Sequence, residues 1–420
     1  MPIVFLRTRS TGFGERIDLD VHPVERWSWV RYGARVRRVF VVVVVSVVLV
    51  CGAILLSSGS RSGRAGKTVR SLPARRRPPI TSAPTAIAAL GPRGPSGSGQ
   101  PVTFAFAGDT QFIDQQDTEP GATSTGLPVL SDQLQADPTH VLAPIEPVLS
   151  SADLAMVNLE TAITVRGEPV AGKNFHFRSP AASFVALRAA GVDVVNMANN
   201  HALDYGPVGI QDTFDAIKSS KFPVIGIGHN AAEAYRPYRT VIKGQRIAIL
   251  GALDWLEPAL IPAWSATETQ PGVAFSIDRT RLAAAVRAVR PEVDTLIVFL
   301  HWGTELTHCA SREQQDLAQT LLAAGADIIV GSHAHRVFGA GLVGTSLVAY
   351  GLGNFTYWRE DGESGRSGVL RVTATGREVN TYSWIPARIT RGIPVLVSGN
   401  AAATDITEWE HRRTCSGLSP

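Results

Sequence analysis

The chain has 420 residues, of which 45% are hydrophobic and 18% charged, so it is long and apolar enough to bury a substantial core. Only three cysteines are present, which excludes a disulfide-rich scaffold and a zinc site built from clustered thiolates. Residues 1–100 carry 16 Lys and Arg against four Asp and Glu, whereas residues 101–420 carry 24 against 32. The folded part is therefore predicted to be acidic, and no nucleic-acid partner is expected.

The N-terminal region predicts a basic segment, residues 1–38, followed by a membrane anchor. Residues 39–56 read VFVVVVVSVVLVCGAILL, a run without charge that is long enough to cross a bilayer as a helix. A cleaved signal peptide is the main alternative, but the run begins late, and no small residue precedes Cys51 as lipoprotein cleavage requires. We therefore predict a single-pass helix in the cell membrane. The arginines before it favour a cytoplasmic N-terminus and an extracytoplasmic main domain.

Residues 57–101 predict a linker, because the segment is first basic and then rich in Pro, Ala, Gly and Ser. Its basic part is interpreted as a solvated stretch or, alternatively, as a collar that holds anionic lipid or polymer. A folded domain is expected from 102 to 404, and residues 405–420 are expected to be a weakly ordered tail. Cys309 and Cys415 are expected to be free thiols.

Within the domain, short β-branched runs alternate with helical stretches, which is typical of an α/β fold. The predicted strands are residues 103–107, 154–157, 193–196, 223–227, 246–251, 295–300, 327–330, 346–349, 368–373 and 381–388. The predicted helices are residues 181–190, 209–219, 279–289 and 312–324. Gly325 is a stop signal for the last of these helices.

Polar side chains follow six of the strands, at the carboxyl ends where α/β sheets build their ligand sites. Taken singly, each has an ordinary alternative role as a turn residue, a helix cap or a satisfied buried side chain. The residues are Asp109, Asn158 and Glu160, Asn200 and His201, His301, His333 and His335, and Asn354.

His333 and His335 stand two residues apart directly after a strand. Two neutral imidazoles so close together, near His301, Glu160 and Asp109, would be hard to leave unpaired in a pocket. A bound divalent cation resolves this arrangement, and mixed carboxylate, amide and imidazole ligation favours Mn, Zn or Fe over Mg or Ca. The sequence therefore predicts a site for one or two divalent ions.

An ordered series of motifs covers essentially all of residues 102–358. The motifs are FAGDT, NLETAIT, FHFRSP, AAGVDVVNMANNHALDYGPVGIQDTFDAI, FLHWGTEL, QQDLAQTLLAAGADIIVGSHAHRV and YGLGNF. This series resembles the bacterial capsule and poly-γ-glutamate biosynthesis proteins of the CapA type, a branch of the calcineurin-like metallophosphoesterases. The resemblance implies a four-layer α-β-β-α sandwich with a two-metal site.

The resemblance also implies a role for each candidate ligand. Glu160 takes the position of the bridging carboxylate, and His201 that of the acid/base beside the metals. The remaining ligands are Asp109 and His335 on the first metal, and Asn200, His301 and His333 on the second. Two positions depart from the metallophosphoesterase pattern: Gln111 replaces the histidine of Asp-x-His, and Glu160 replaces an aspartate. Both departures weaken the first metal position.

Further residues are candidates for catalysis or substrate binding. Asp204 either orients His201 as a catalytic partner or caps a helix, and Arg178 either clamps a carboxylate or phosphate or forms a surface salt bridge. Asn158 and Asn354 are candidate substrate-binding residues, with a turn as the alternative role for Asn354.

Two functions remain open. The first is a membrane-anchored capsule or poly-γ-glutamate biosynthesis protein whose metal-dependent hydrolase-type site acts on an anionic envelope polymer or its precursor. The second is a non-catalytic accessory of the same fold that binds or exports the polymer. The expected partners are an anionic polymer such as poly-γ-glutamate, membrane lipids and other membrane proteins of capsule synthesis.

Overall fold

The computed structural model describes residues 3–11, 14–22, 94–112 and 130–420, and the chain divides into two units, Met1–Arg75 and Arg76–Pro420. In the first unit, two strands that the sequence does not predict form an antiparallel hairpin. These strands are Ile3–Thr11 (β1) and Gly14–His22 (β2). The membrane helix predicted at 39–56 lies outside the described residues. No helix within the described ranges combines the length and the apolar character that a bilayer span requires.

The second unit contains eighteen strands and nine α-helices among its described residues. The strands are Val102–Thr110 (β3), Leu154–Leu159 (β4), Ala162–Ile163 (β5), Arg178–Ser179 (β6), Val194–Asn196 (β7), Val224–Ile225 (β8), Ile227–Gly228 (β9), Tyr238–Ile242 (β10), Gln245–Leu253 (β11), Gly272–Val273 (β12), Thr295–Trp302 (β13), Ile328–His333 (β14), Ala340–Val343 (β15), Ser346–Ala349 (β16), Asn354–Thr356 (β17), Arg366–Thr375 (β18), Glu378–Thr390 (β19) and Ile393–Leu396 (β20). The helices are Leu130–Ala136 (α1), Glu146–Ser150 (α2), Ala182–Ala189 (α3), Gly206–Ser220 (α4), Ala231–Ala234 (α5), Ile261–Trp264 (α6), Arg279–Val289 (α7), Arg312–Ala324 (α8) and Gly399–Arg412 (α9).

Two mixed sheets form the centre of this unit. The first has the order β20-β19-β18-β3-β4-β7-β8, with β17 also paired to β3. Its strands β3, β4, β7 and β8 run parallel. The second sheet has the order β10-β11-β13-β14-β16-β15, and its four inner strands are parallel. Parallel strands place their carboxyl ends at one edge of a sheet, so each sheet has one edge suited to a binding site.

The hydrophobic residues separate into layers because successive side chains of a strand point to opposite faces. Phe104, Phe106 and Met156 of the first sheet pack with Ile297 and Val330 of the second in a central core. The opposite face of the first sheet packs against helices α1 to α4, and that of the second against α7 and α8. The predicted mixed α/β fold is confirmed, with two facing sheets between two layers of helices.

Both ends of the domain extend beyond the predicted boundaries. The end of the expected linker docks on Gln245, which accepts a hydrogen bond from the Ser98 amide at 3.2 Å and donates one to the Ser96 carbonyl at 3.0 Å. At the other end, the expected tail continues helix α9, whose Trp409 is buried in the central core and stacks on Trp384. Long-range packing orders residues that look unstructured by composition alone.

Cys309 and Cys415 form a disulfide, so the expectation of two free thiols is wrong. The two cysteines are 106 residues apart in sequence. The bond ties the loop after β13 to the segment that follows α9, and the Ala310 amide donates a hydrogen bond to Ser416 Oγ at 3.1 Å beside it. The free-thiol expectation fails because no local spacing reveals a pair brought together only by the fold.

Candidate metal centre

The strand register of the first sheet places polar residues side by side at one edge. Asn354 pairs with Asp109, Asp109 with Asn158, and Asn158 with Asn196, across strands β17, β3, β4 and β7. The Asn196 amide donates to Asn158 Oδ1 at 2.8 Å, and the Asn158 amide donates to Asp109 Oδ1 at 2.9 Å. This row of hydrogen bonds fixes the orientation of the Asp109 carboxylate.

The second sheet supplies three histidines at its own carboxyl edge. His301 lies near the end of β13, His333 ends β14, and His335 follows in the next loop. His333 and His335 have positive φ angles of 91° and 52°. This left-handed backbone costs a residue with a side chain about 1–3 kcal/mol and is over-represented at functional sites. The His333 amide donates to Asp109 Oδ2 at 3.0 Å, so the two sheets meet at this point.

Two sets of three side chains bring their ligand atoms within 4.8 Å of one another, and both include Glu160. One set is Glu160, His301 and His333, and the other is Asp109, Glu160 and His335. Glu160 Oε1 lies 3.4 Å from His301 Nε2 and 3.9 Å from His335 Nε2. Glu160 is therefore common to both candidate ligand sets.

The donor atoms fit a divalent ion. Both carboxylate oxygens of Glu160 and His333 Nε2 are buried and have no hydrogen-bond partner in the described part of the chain, which is costly for polar atoms. His301 Nε2 lies 2.8 Å from Asn200 Oδ1 and 3.4 Å from Glu160 Oε1. Two ligands at about 2.1 Å from one ion stand roughly 3.0–3.4 Å apart. A shared cation would therefore satisfy these atoms at nearly the spacing they already have.

The electrostatics of the centre agree with cation binding. Burial, and next the charge of Asp109, raise the pKa of Glu160 well above its ordinary value. Burial, and next the neighbouring histidines, lower the pKa of His301 and His333 well below the ordinary value, so both imidazoles are neutral and offer a lone pair. Burial also lowers the pKa of His335, but the hydrogen bond and charge of Asp109 outweigh it, and that pKa is raised. A divalent ion would supply the positive charge that the carboxylates require.

His201 is oriented towards the centre by Asp204. His201 Nδ1 lies 2.5 Å from Asp204 Oδ2, and its Nε2 lies 4.0 Å from Glu160 Oε1. Asp204 also accepts hydrogen bonds from the Phe177 amide and from Lys173 Nζ, both at 2.6 Å. Burial raises the pKa of Asp204 to about 6, although the Lys173 charge opposes this shift. Asp204 does not cap α4, whose N-terminus has no side-chain cap.

Lys173 belongs to the site, although nothing in the sequence points to it. Its side chain is only 2% exposed, and its Nζ donates to the Asn200 carbonyl as well as to Asp204. The ring of Trp264 lies 4.7 Å from the same Nζ. No local pattern marks Lys173, because its partners lie 27 and 31 residues further along the chain. Asn196 is also missed, yet its position at the end of an apolar strand is a signal that could have found it.

An aromatic ring contacts each of three histidines. Phe177 stacks on His201 at 3.7 Å between ring centroids. Trp255 stacks on His333 at 4.8 Å, and Tyr357 lies 5.0 Å from His335. The three rings differ in exposure, because Phe177 and Tyr357 are buried whereas Trp255 is 38% exposed. Trp255 is therefore the ring of these three that a ligand arriving from solvent meets.

Asn158 and Asn354 lie inside the centre rather than at its surface. Asn158 is fully buried, and its amide nitrogen contacts both Asp109 and His301 Nδ1, the latter at 3.0 Å. Asn354 is buried, and its Oδ1 lies 2.8 Å from His335 Nδ1. The expected contact of these two residues with substrate does not fit, because their polar atoms are occupied in orienting other side chains.

Two further positions singled out in the sequence, and also Glu305, lie outside the two ligand sets. Arg178 is half-buried over the Tyr205 ring, 4.9 Å from its centroid, and makes no hydrogen bond or ion pair with the described residues of the cluster. Gln111 is fully buried, and its backbone N–H donates to the Thr356 carbonyl at 3.0 Å. Glu305 is exposed, but its charge raises the pKa of Glu160 and of His335.

Two facing sheets with a buried carboxylate–imidazole cluster at their common edge define a mixed α/β protein with a candidate divalent-metal centre. Residues 103–357 match the family described as "Bacterial capsule synthesis protein PGA_cap", and the chain belongs to this family. The family resemblance inferred from the ordered motifs is confirmed.

Two relatives and one solved structure illustrate the similarity. The chain is 29% identical over 265 residues to "Capsule biosynthesis protein CapA" of Bacillus anthracis, covering 62% of this chain and 64% of that one. It is 30% identical over 216 residues to "PGA biosynthesis protein CapA" of Bacillus subtilis, covering 51% and 55%. The aligned part thus spans less than two thirds of either relative. The calcineurin-like phosphoesterase YfkN of Bacillus subtilis superposes with a TM-score of 0.39 at 15% identity, covering 75% of this chain and 98% of that one.

Proposed function

We propose that the protein is a membrane-anchored component of capsule or poly-γ-glutamate biosynthesis with a metal-dependent hydrolase-type site. Its substrate is an anionic cell-envelope polymer, such as poly-γ-glutamate, or a precursor of it. The observation that carries the proposal is the Glu160 carboxylate, which is buried without a hydrogen-bond partner among the described residues and faces His301 and His335. The names of the relatives, which refer to capsule and PGA biosynthesis, supply the substrate class.

The cluster would hold one or two divalent ions. When bound, such ions lower the pKa of a coordinated water and polarise an oxygen of the substrate. The residues that would hold them are Asp109, Glu160 and His335 at one position, and Glu160, Asn200, His301 and His333 at the other. The metallophosphoesterase-type resemblance of the motifs agrees with this division.

His201 is the residue that moves a proton. The Nδ1–H of His201 donates to Asp204, which is itself held by Lys173 and the Phe177 amide, so His201 Nε2 faces the centre with a free lone pair. Burial, and next the charge of Lys173, lower the pKa of His201 well below its ordinary value, which keeps the ring neutral. Nε2 therefore accepts the proton that the attacking water loses, and Asp204 then stabilises the imidazolium that returns this proton to the leaving group.

We further propose that the domain lies outside the cytoplasm, anchored by the helix predicted at 39–56. The Cys309–Cys415 disulfide supports this location, because disulfides persist mainly in oxidising compartments. Membrane lipids and other membrane proteins of capsule synthesis are the corresponding partners. Protease treatment of intact spheroplasts tests the location: cleavage of the domain without lysis supports it, and protection until lysis contradicts it.

The test of the activity uses the purified full-length chain loaded with Mn, Zn or Fe. Metal content is measured first, followed by turnover of γ-glutamyl polymers and of phosphoester substrates. We expect bound metal and turnover, and we expect His201→Ala to lose turnover while it keeps the metal. His140→Ala is the matched control, since His140 is exposed and outside the centre. If the metal-loaded protein turns over none of these substrates, the proposed hydrolase activity is contradicted.

A non-catalytic accessory that binds or exports the polymer is the second candidate. The observation that favours it is Gln111, which stands where the metallophosphoesterase pattern has a ligand histidine. An accessory would bind metal and polymer without turnover, and His201→Ala would then leave polymer binding unchanged. The same purified proteins, assayed for polymer binding, distinguish this candidate from the enzyme.

A further inference from the structure

A cavity of about 620 Å³ lies along β8, the edge strand of the first sheet, and none of its lining residues belongs to the metal centre. This volume is within the range of ligand-binding sites in proteins. The end of α4, strand β8 and the segment from β9 to β10 form its walls. The lining residues that matter here are Phe214, Lys218, Lys221, His229, Arg236 and Arg239, and we call this cavity the basic groove.

The basic groove is cationic although the surrounding domain is acidic. Residues 101–420 carry 24 Lys and Arg against 32 Asp and Glu, yet the groove is lined by two lysines and two arginines against one acid, Glu233. The side chains of Lys218 and Lys221 are exposed and form no ion pair or hydrogen bond with described residues. Two cations of the groove are therefore available to an anionic ligand.

The two arginines are held by ion pairs that differ in exposure: the Arg236 side chain is exposed, whereas the Arg239 side chain is 23% exposed and donates to Glu292 from both Nε and Nη2. Arg236 lies 3.7 Å from Glu233, and Arg239 lies 2.8 Å from Glu292. An exposed pair such as Arg236–Glu233 contributes little to stability, so a carboxylate of a ligand can replace Glu233 at small cost. The fork of a guanidinium also suits a carboxylate, which it binds through two parallel hydrogen bonds.

The helix dipole does not account for this set of charges. Lys218 and Lys221 stand at the carboxyl end of α4, where cations are favourable, but Arg236 and Arg239 come from a different part of the chain. Lys221 also has φ 53° at the C-cap of α4, a position at which glycine is usual. A lysine is conformationally less favourable than a glycine at this position. Its side chain adds a positive charge to the groove.

The remaining walls are apolar, and the groove follows a strand. Phe214 lies against His229 with 4.0 Å between ring centroids, and Phe222 and Ile227 are buried beside them. β8 runs parallel to β7, so its carboxyl end lies at the same edge of the sheet as the metal centre. Apolar walls with cations along them suit an extended chain that alternates aliphatic carbons with carboxylates.

We propose that the basic groove binds a stretch of an extended polycarboxylate chain and so holds the polymer at the edge of the sheet that carries the metal centre. The identity of the chain as a glutamate polymer rests on the proposed function. Binding in the groove itself depends on the cations and not on metal or turnover.

The experiment measures fluorescence anisotropy of a labelled γ-linked glutamate oligomer with the full-length protein. We expect the double variant Lys218→Glu and Lys221→Glu to weaken binding at least about tenfold, and wild-type binding to weaken as salt rises. Lys218→Ala with Lys221→Gly serves as a second variant, because glycine suits the C-cap conformation and folding is retained. Arg287→Glu with Arg312→Glu is the control, since it changes the net charge equally at exposed residues outside the groove.

The results of this experiment distinguish oligomer binding in the basic groove from the activity proposed for the metal centre. The proposal that the basic groove binds the oligomer is contradicted if either Lys218/Lys221 variant binds it with wild-type affinity. It is also contradicted if the arginine control loses as much affinity as the lysine variants. Stronger competition by inorganic polyphosphate than by unlabelled glutamate oligomer would overturn the assignment to polycarboxylates. Oligomer binding is measured with metal-free and with metal-loaded protein, and the loss in the Lys218/Lys221 variants is expected in both states. A loss seen in the metal-loaded state alone would contradict binding by the groove cations, whereas absence of turnover with the groove effect retained would contradict the proposed enzyme and leave the groove intact.

Discussion

Glu160 lies in surroundings that are unfavourable to the metal-free fold. Its carboxylate is buried, lacks a hydrogen-bond partner among the described residues and lies near the Asp109 charge. We expect Glu160→Gln to leave the metal-free protein at least as stable as wild type and to weaken divalent-ion binding by about 100-fold or more. Thermal unfolding with and without metal measures both effects, because an ion that binds only the folded state raises Tm.

The control for this substitution is Glu292→Gln, which removes a half-exposed carboxylate far along the chain from the cluster. We expect it to keep the metal-dependent rise in Tm. If metal-free Glu160→Gln protein unfolds well below wild type, the carboxylate stabilises the fold by itself, and its burial is then no sign of a missing cation.

Lys173 and Asp204 form a buried pair whose members depend on each other. Both side chains are almost fully buried, and the atoms Nζ and Oδ1 are 2.6 Å apart. Lys173→Met keeps an apolar stem next to Trp264 but leaves the Asp204 carboxylate without its cation, so we expect a loss of about 3–5 kcal/mol in the free energy of unfolding. Urea unfolding measures this loss.

A double-mutant cycle tests the coupling. Lys173→Met combined with Asp204→Asn is expected to be clearly more stable than the sum of the two single losses predicts, because no buried charge remains unpaired. The exposed pair Lys243 and Asp153 gives the matched comparison, and Lys243→Met is expected to change stability little. Additive losses at Lys173 and Asp204 would rule out a coupled pair.

Both ends of helix α8 are set by residues of its own sequence. Ser311 accepts a hydrogen bond from the Gln314 amide, and the Gln314 side chain bonds back to the Ser311 amide, which forms a capping box. Gly325 ends the helix with φ 111°, where an added Cβ would approach Arg290 Cδ to 2.7 Å. Ser311→Ala is expected to lower the free energy of unfolding by about 1 kcal/mol, measured by urea unfolding.

Thr320→Ala in the same helix is the control, since its exposed hydroxyl bonds only to the carbonyl one turn before it. This change is expected to be nearly neutral. Equal destabilisation by Ser311→Ala and Thr320→Ala would show that the cap contributes nothing specific.

The predicted bounds of α7 and α8 match the structure, because end signals and the spacing of apolar residues are local to these helices. Helix α9 is missed for the opposite reason. Its buried Asp405 pairs with Arg388, and its Trp409 packs against Trp384, so its order depends on strand β19. No periodicity within residues 405–420 carries that information.

At the scale of the molecule, the sequence predicts the position of the candidate site better than it predicts the role of each residue in it. Parallel strands bring their carboxyl ends together, so polar residues after apolar strands identify Asp109, Glu160, His301 and His333 as neighbours. What the pattern cannot tell is which face of the cluster meets solvent. Asn158 therefore looks like a substrate ligand in sequence and proves to be buried behind Asp109. The roles of Lys173 and of the two cysteines are not predicted from the sequence, because only the complete fold brings their partners near.

The Cys309–Cys415 disulfide is the one covalent link between distant parts of the described domain, and its loss tests how the whole molecule is held together. It closes a loop of 106 residues that contains β14 to β20 and helices α8 and α9. Cross-linking a loop of about 100 residues restricts the unfolded chain by roughly 4–5 kcal/mol in the chain-entropy account. Cys309→Ser with Cys415→Ser is therefore expected to lower the free energy of unfolding by about 2–4 kcal/mol.

Metal affinity should change little in this variant, because His301 and His333 are held by strands β13 and β14 and not by the disulfide. Urea unfolding and metal titration of the two proteins measure both quantities, and reduction of the wild type provides an independent route to the same state. Cys51→Ser, which leaves the disulfide intact, controls for the loss of a thiol. If the double variant loses metal binding together with stability, the loop after β13 helps to position His301, and the centre depends on the redox state of the compartment.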